Sequence, residues 1–402
     1  MTQDLIESTA TLHVSDEFDA LMERLDAIEP VLKANGAANE DAKRLSDDVV
    51  AALHESGVFR IGIPVSLGGY EFSPRQVIAV IEKLAYADAS TGWSVMALQM
   101  ESGTTAAYLS DEATNDLYAD GGYALMAGQG TRPGNGRAHK VDGGYLLSGS
   151  WQFASGVPHA QYIHTAALVE ATGEAKIFTI PKNLTTVVDN WNVMGLRATG
   201  SHDYIIEDAF VPDAYVYDIG TKEASHGGAL YHVGLANMAG MNHAGWALGV
   251  GRRLLDEMAV LARKKSGTPG ASVDTDQFYA EFAEAEAKLR SARAFVMSVW
   301  EANEAALAEG RTLGTEEETL TRLALNNATW SVHAVGVTVY KWAGTAALRT
   351  GDLQRYFRDL HAGTQHMTSG PVVLQQTGKA LAGLAKNPSW QFFSLVETDD
   401  QA

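Results

Sequence analysis

The sequence predicts an α+β fold in three parts. A helical N-terminal domain is expected over residues 1–120, a middle antiparallel β domain of sandwich or barrel form over 121–225, and a C-terminal four-helix bundle over 226–402. Three observations carry this. Apolar residues recur at spacings of three and four in the first part; from about Tyr123 to Tyr217 the period shortens to that of strands; after Gly227 a regular helical seam returns. No internal repeat or low-complexity linker interrupts the order, so the parts are expected to pack as one unit.

In the first part, Phe18, Leu21, Leu25, Ile28 and Leu32 lay one apolar stripe along a long helix. Ser46-Asp47-Asp48 supplies an N-cap and acids for the first turn of the next helix, with Val49 and Leu53 inward and Gly57 as its stop. Ser73-Pro74-Arg75-Gln76 is a third start, with Pro at the first helical position and Gln76 placed to close a capping box. Between these, 59–64 and 67–70 read as a turn-rich passage. In the second part, the Asp142-Gly143 pair between short apolar runs signals a hairpin. The runs Tyr162–Val169, Lys176–Ile180, Thr185–Val188 and Asp203–Ile206 are β-rich and bounded by turn formers. In the third part, Phe278, Phe282, Ala285, Leu289, Ala292, Val296 and Val299 alternate by four and three, as a helix packed nearly parallel to its neighbours requires. The stretches 239–264, 317–342 and 358–384 are its expected companions.

Composition excludes several functions. Thirty Lys and Arg against forty-nine Asp and Glu leave a net charge of −19, which argues against nucleic acid or an anionic membrane as partner. There is no cysteine, hence no disulfide, thiolate metal site or cysteine nucleophile. The first twenty residues hold Asp4, Glu7, Asp16, Glu17 and Asp19, no Lys or Arg and no apolar core, unlike a signal peptide. No apolar run is long enough to span a bilayer, and a cytoplasmic protein is expected.

Three segments place polar residues where apolar ones would pack better. In 147–156, Phe153 and Ser155 stand at alternate strand positions, so one could lie against a planar ligand while the other meets its edge; by spacing alone an edge strand with a solvated serine does as well. In Met194-Gly195-Leu196-Arg197-Ala198-Thr199-Gly200-Ser201, glycines permit close backbone approach and Arg197, Thr199 and Ser201 offer donors, though a glycine-rich turn explains the same residues. In 355–367, adjacent Arg358 and Asp359 must face different neighbours on a helix. His361 and His366, five apart, would lie about 140° apart round a helix, poor for one metal, and no metal is expected. No Gly-x-Gly-x-x-Gly, Walker or Gly-x-Ser-x-Gly motif occurs.

Taken in order over about residues 18–385, these motifs resemble the acyl-CoA dehydrogenase superfamily: Gly149-x-x-x-Phe153-x-Ser155, Met194-Gly195-x-Arg197-x-Thr199-x-Ser201 with Val211-Pro212, and Arg358-Asp359. The catalytic glutamate of true dehydrogenases is missing at both of its known places, which here read His366-Met367 and 235–242. The stretches 342–366 and 143–160 are instead similar to the oxygenase components of two-component flavin-dependent monooxygenases that hydroxylate phenols, indoles and other heteroaromatics.

That resemblance implies a reduced flavin, FADH2 ahead of FMNH2, delivered by a separate NAD(P)H:flavin reductase, with O2 as co-substrate and a C4a-hydroperoxyflavin as oxygenating species. It implies that Ser155 faces flavin N5 and that His366 faces the substrate as its base. It assigns Phe153, Arg197, Thr199, Ser201, Arg263 and Gly344 to the cofactor, Arg263 often across a subunit boundary of a tetramer or dimer. Glu101, Met238 and Asn242 join His366 in the substrate pocket. Departures from the pattern are Ala154, where a second Ser or Thr is common, and Met100-Glu101-Ser102, where a histidine is common; Glu101 there favours a substrate with an N–H donor, indole-type before phenol-type. Two alternatives stay open: an atypical acyl-CoA dehydrogenase or oxidase with Glu101 as relocated base, and a flavin-fold protein that binds without turnover.

Overall fold

The computed structural model describes residues 16–398, so Asp4 and Glu7 of the acidic start lie outside the described residues. Helices α1 (Asp16–Ala42), α2 (Asp47–Ser56), α3 (Pro74–Ala87), α4 (Ala89–Tyr108) and α5 (Asp111–Leu117) form the first part. Their starts follow local chemistry. The Ser46 hydroxyl accepts from the Val49 N–H and Gly57 ends α2 at φ +82°. At α3 the reciprocal pair forms, the Gln76 N–H to the Ser73 hydroxyl and the Ser73 N–H to Gln76 Oε1 at 2.9 Å. Leu21, Leu25 and Leu32 of the α1 stripe are buried.

The middle part is one sheet in the order β6 (Thr186–Val188), β7 (His202–Pro212), β3 (Gly144–Ala154), β2 (Gly136–Val141), β4 (Tyr162–Val169), β5 (Ala175–Pro181), β8 (Val216–Asp218), with β1 (Met126–Gln129) also on β4. The Asp142-Gly143 turn joins β2 to β3, Gly143 at φ +73°. The expected antiparallel pairing holds except around β4, which runs parallel to β1 and, further along, to β2. Between β2 and β4 the chain runs back along β3 and through residues 155–161, which returns it to the same end of the sheet and allows the parallel pairs that no two-residue turn could make.

The C-terminal part holds α6 (Leu235–Lys265), α7 (Asp276–Ala308), α8 (Thr315–Ala343), α9 (Asp352–Gly363) and α10 (Pro371–Leu381). The α7 seam is buried from Phe278 to Val299, with Phe282 half-buried. α6 is buried nearly all round and packs on both α3 and α8. Gly249 permits the α3 approach, since a Cβ there would collide with the Glu82 carbonyl. The single companion helix expected over 358–384 is instead two, α9 and α10. Pro371 has no N–H and fits only the first turn of a helix, so the chain breaks ahead of it and restarts there. A C-terminal hairpin, β9 (Pro388–Gln391) and β10 (Ser394–Glu397), has no counterpart in the sequence expectation.

Candidate functional site

A cavity of about 360 Å³ opens where all three parts meet. Its walls come from α4, the end of β1, the end of β3, the 191–201 loop, the start of α6, the α9–α10 break and the Phe392-Phe393 turn of the C-terminal hairpin.

One wall is a chain of hydrogen bonds whose direction follows from counting protons. The Thr199 hydroxyl donates to the Leu196 carbonyl at 2.8 Å, so it must accept from Ser201 at 2.6 Å. Ser201, its proton spent, accepts from Ser155 at 2.8 Å. Ser155 in turn accepts the Trp93 indole N–H at 3.0 Å. The Ser155 oxygen is therefore left with one free lone pair and no proton to offer the cavity.

Beside it, β3 is irregular between Trp151 and Ala154, and Phe153 sits at φ +69°, half-exposed on the cavity wall with its edge to Trp191 at 6.1 Å. Phe153 and Ser155 do reach the same space, but through this bulge and the strand's end at Ala154 rather than by simple strand alternation. Arg132 stands over the Phe153 ring at 5.8 Å. The loop bearing Thr199 is held from behind: Leu196, at φ +54°, gives its N–H to Asp359 Oδ1 at 2.6 Å. Burial pushes the Asp359 carboxyl up to about 7. Gly195 allows this docking, as a Cβ there would strike the Arg358 carbonyl. Arg358 holds the same loop by its Met194 carbonyl at 2.7 Å and reaches the Glu40 carboxylate at 2.9 Å, so the adjacent pair, expected to serve different neighbours, shares the 194–196 loop and parts only at Glu40.

The adjoining wall, linked to Ser155 through Trp93, carries two histidines. His243 of α6 and His366 of the α9–α10 break stack at 4.0 Å and 28°, and the Trp93 ring meets both edge-on at 5.1 and 5.8 Å. His366 caps a short turn, outside either helix. Burial lowers His243 to about 4 and holds His366 well below its ordinary value, helped by His243 and Arg132 nearby. Glu101, on α4, also lines the cavity. It is buried, one carboxyl oxygen has no partner among the described residues, and desolvation pushes its pKa well up, favouring the protonated form.

Of the residues singled out from the sequence, Phe153, Ser155, Thr199, Ser201, Glu101, Asn242 and His366 line this cavity. Asn242 is engaged on both sides, by the Gln99 amide at 2.7 Å and with the Met238 carbonyl at 2.9 Å. Met238 does not line it: its side chain lies a helical turn away in the core. Arg197 does not line the cavity, and its buried Nε has no partner among the described residues. Arg263 is exposed near the C-terminal end of α6, some twenty residues past Asn242 and about 30 Å along the helix. Gly344, at the far end of α8, is likewise outside this chain's own cavity. Trp93, His243, Trp191 and the Phe392-Phe393 turn were not anticipated. A signal existed for α4, where Trp93, Ala97, Met100 and Glu101 share a helical face.

The donor set suits a reduced flavin. Phe153 and Trp191 offer aromatic surface to a planar ring, and the free lone pair of Ser155 suits its N5–H.

The chain as a whole resembles known proteins in sequence and in fold. The N-terminal domain of acyl-CoA dehydrogenase matches residues 23–117 and its C-terminal domain matches residues 241–370. The chain is 29% identical over 386 residues to the flavin-dependent monooxygenase, oxygenase subunit HsaA, of Rhodococcus jostii, covering 89% of this chain and 97% of that protein. It is 28% identical over 378 residues to an indole-3-acetate monooxygenase of Acinetobacter baumannii, covering 91% and 95%. The crystal structure of 3-HSA hydroxylase from Rhodococcus sp. RHA1 superposes with a TM-score of 0.87 at 27% identity, covering 93% of this chain and 99% of that one.

Proposed function

The chain belongs to the acyl-CoA dehydrogenase family, and on that footing we propose that it hydroxylates a small aromatic ring bearing an N–H or O–H, indole-type first and phenol-type second. It is an oxidoreductase, a flavin-dependent aromatic monooxygenase. Reduced flavin, when bound, would supply the two electrons with which O2 gives one oxygen atom to the ring and the other to water. FADH2 is our first choice, from a separate NAD(P)H:flavin reductase, in keeping with a relative named as an oxygenase subunit. The same reading makes the protein a cytoplasmic homo-oligomer, with Arg263 and Gly344 serving a neighbouring subunit's cofactor. Among the described residues no helix is long and apolar enough to cross a membrane.

The observation that carries the reading is the lone pair of Ser155, fixed as an acceptor by the chain through Ser201 and Thr199. Reduced flavin has a proton at N5 and oxidised flavin has none, so an acceptor there favours the reduced form and holds that proton in place. Phe153 and Trp191 would flank the ring, and the apolar walls of Trp93, Met96 and Leu235 would exclude water. His366 would meet the substrate from the adjoining wall. Glu101, whose burial favours the protonated acid, adds a polar group to the wall beside the substrate, in keeping with a ring that carries an N–H or O–H.

Glu101 also gives the dehydrogenase alternative its one foothold, as a carboxyl group inside the cavity. As a base it would have to ionise, however, and among the described residues no cation pairs with it to hold that charge. Anaerobic mixing with reduced FAD or FMN, followed by oxygen in a stopped-flow cell, separates the two. A transient absorbance between reduced and oxidised flavin, with hydroxylated indole as product, supports the monooxygenase. Single-step reoxidation, with bleaching of bound oxidised FAD by an acyl-CoA, supports the dehydrogenase.

A further inference from the structure

We propose that His243, rather than His366, is the acceptor that reads the proton-bearing group of the substrate, with His366 meeting the same substrate as a donor. This rests on the reading that the cavity takes an aromatic ring with an N–H or O–H.

The argument is where the protons must be. His243 Nδ1 lies 2.8 Å from the Ala239 carbonyl. A carbonyl can only accept, so Nδ1 carries the proton and Nε2 carries a lone pair. That Nε2 is buried and has no hydrogen-bond partner among the described residues. A buried acceptor left unpaired is costly and calls for a partner that arrives with a ligand. His366 is the mirror case. The Thr368 backbone N–H points at its Nδ1 at 3.4 Å, and the Thr368 hydroxyl lies 2.8 Å from the same atom. A backbone N–H can only donate, so Nδ1 holds the lone pair and Nε2 the proton.

Two rings stacked at 4.0 Å on one wall therefore carry opposite free edges, an acceptor on His243 and a donor on His366. Burial keeps both neutral, which preserves this division across the physiological range. The selection rule follows. A ring with a donor satisfies Nε2 of His243, whereas an isostere without one leaves it unpaired and is bound less tightly.

The test is binding of indole and of its oxygen isostere benzofuran to the purified full chain by calorimetry, with phenol and anisole as a second pair. Wild type is expected to prefer the donor-bearing ring by about tenfold or more. His243→Phe keeps an aromatic ring but no acceptor, and should bind both within about twofold. His243→Gln, which restores an acceptor oxygen, should recover part of the preference, and His366→Phe should keep it. Long-range 15N–1H spectra of histidine-labelled protein should show the Nδ1–H form for His243 and the Nε2–H form for His366. The opposite tautomers, an undiminished preference in His243→Phe, or no preference in wild type would each overturn the proposal. These readouts need neither flavin nor turnover. Failure to hydroxylate any aromatic would refute the functional reading while leaving the donor preference standing, and loss of the preference alone would refute only this assignment.

Discussion

Ser155→Ala separates a cofactor-reading hydroxyl from a merely structural one. In the free protein the substitution strips the Trp93 N–H of its acceptor and Ser201 of its donor, while Ser201 still donates to Thr199. Trp93 is only 8% exposed, so an unpaired N–H there would cost about 1–3 kcal/mol. Ser155 is half-buried on an open cavity, where water can replace its oxygen, and the lower end of that range applies. The effect on flavin is different in kind. Only the reduced form has an N5–H to give, so the variant should lose about 0.5–1.5 kcal/mol of reduced-flavin binding, roughly a 2- to 10-fold rise in Kd, with oxidised-flavin binding nearly unchanged. The assay is parallel titration with oxidised FAD in air and reduced FAD under anaerobic conditions. Hydrogen peroxide yield per turnover should rise alongside. Equal weakening of both redox forms, or an unaltered peroxide yield, would refute the direction assigned to the hydrogen-bond chain.

Three further expectations follow from the same geometry. His366→Ala removes a donor to the substrate rather than a base, so it should keep oxygen consumption but divert part of it to peroxide, with ring hydroxylation slower by about tenfold, read as the ratio of product to oxygen consumed. Glu101→Gln should leave hydroxylation within about tenfold, because burial already favours the uncharged acid that Gln mimics, whereas a loss of 10²-fold or more would restore Glu101 as a base. For Asp359 the folded pKa of about 7 stands above the ordinary 3.8, so the folded state binds the extra proton between those values and stability falls as pH rises from about 4 to 7. Asp359→Asn keeps an acceptor for the Leu196 N–H and should flatten that fall, on the order of a few kcal/mol, in denaturant melts at pH 4.5 and 7.5.

Local signals were strong wherever one residue type has one job. Ser73, Pro74 and Gln76 could only begin a helix, and Asp142-Gly143 could only turn a hairpin, so both were legible without a partner in view. The α9–α10 break shows the limit. Gly370-Pro371 is a visible stop, yet the apolar periodicity on either side reads as one helix, and it hides that His366 leaves the helix to face α6. His243 was missed for a related reason. Nothing local distinguishes a histidine in a buried helix from a packed one, and its meaning appears only when a residue more than a hundred positions away stacks on it. The parallel pairs at β4 are long-range in the same sense, since neither pairing is written in a turn.

The Arg358-Asp359 pair shows why a motif remote from the chemistry marks this family's site. Asp359 fixes Leu196 in a left-handed conformation that few leucines adopt, and that conformation aims the Leu196 carbonyl at the Thr199 hydroxyl. Thr199 thereby commits its proton and forces Ser201, then Ser155, to point theirs the same way. A carboxyl on the C-terminal bundle thus sets the polarity of a serine at the end of a strand in the β domain. Arg358 meanwhile ties the same turn of α9 to Glu40 on α1. The three parts are coupled at the cavity through directed hydrogen bonds, and a substitution at Asp359 that cannot accept from Leu196 should act on the flavin without touching it.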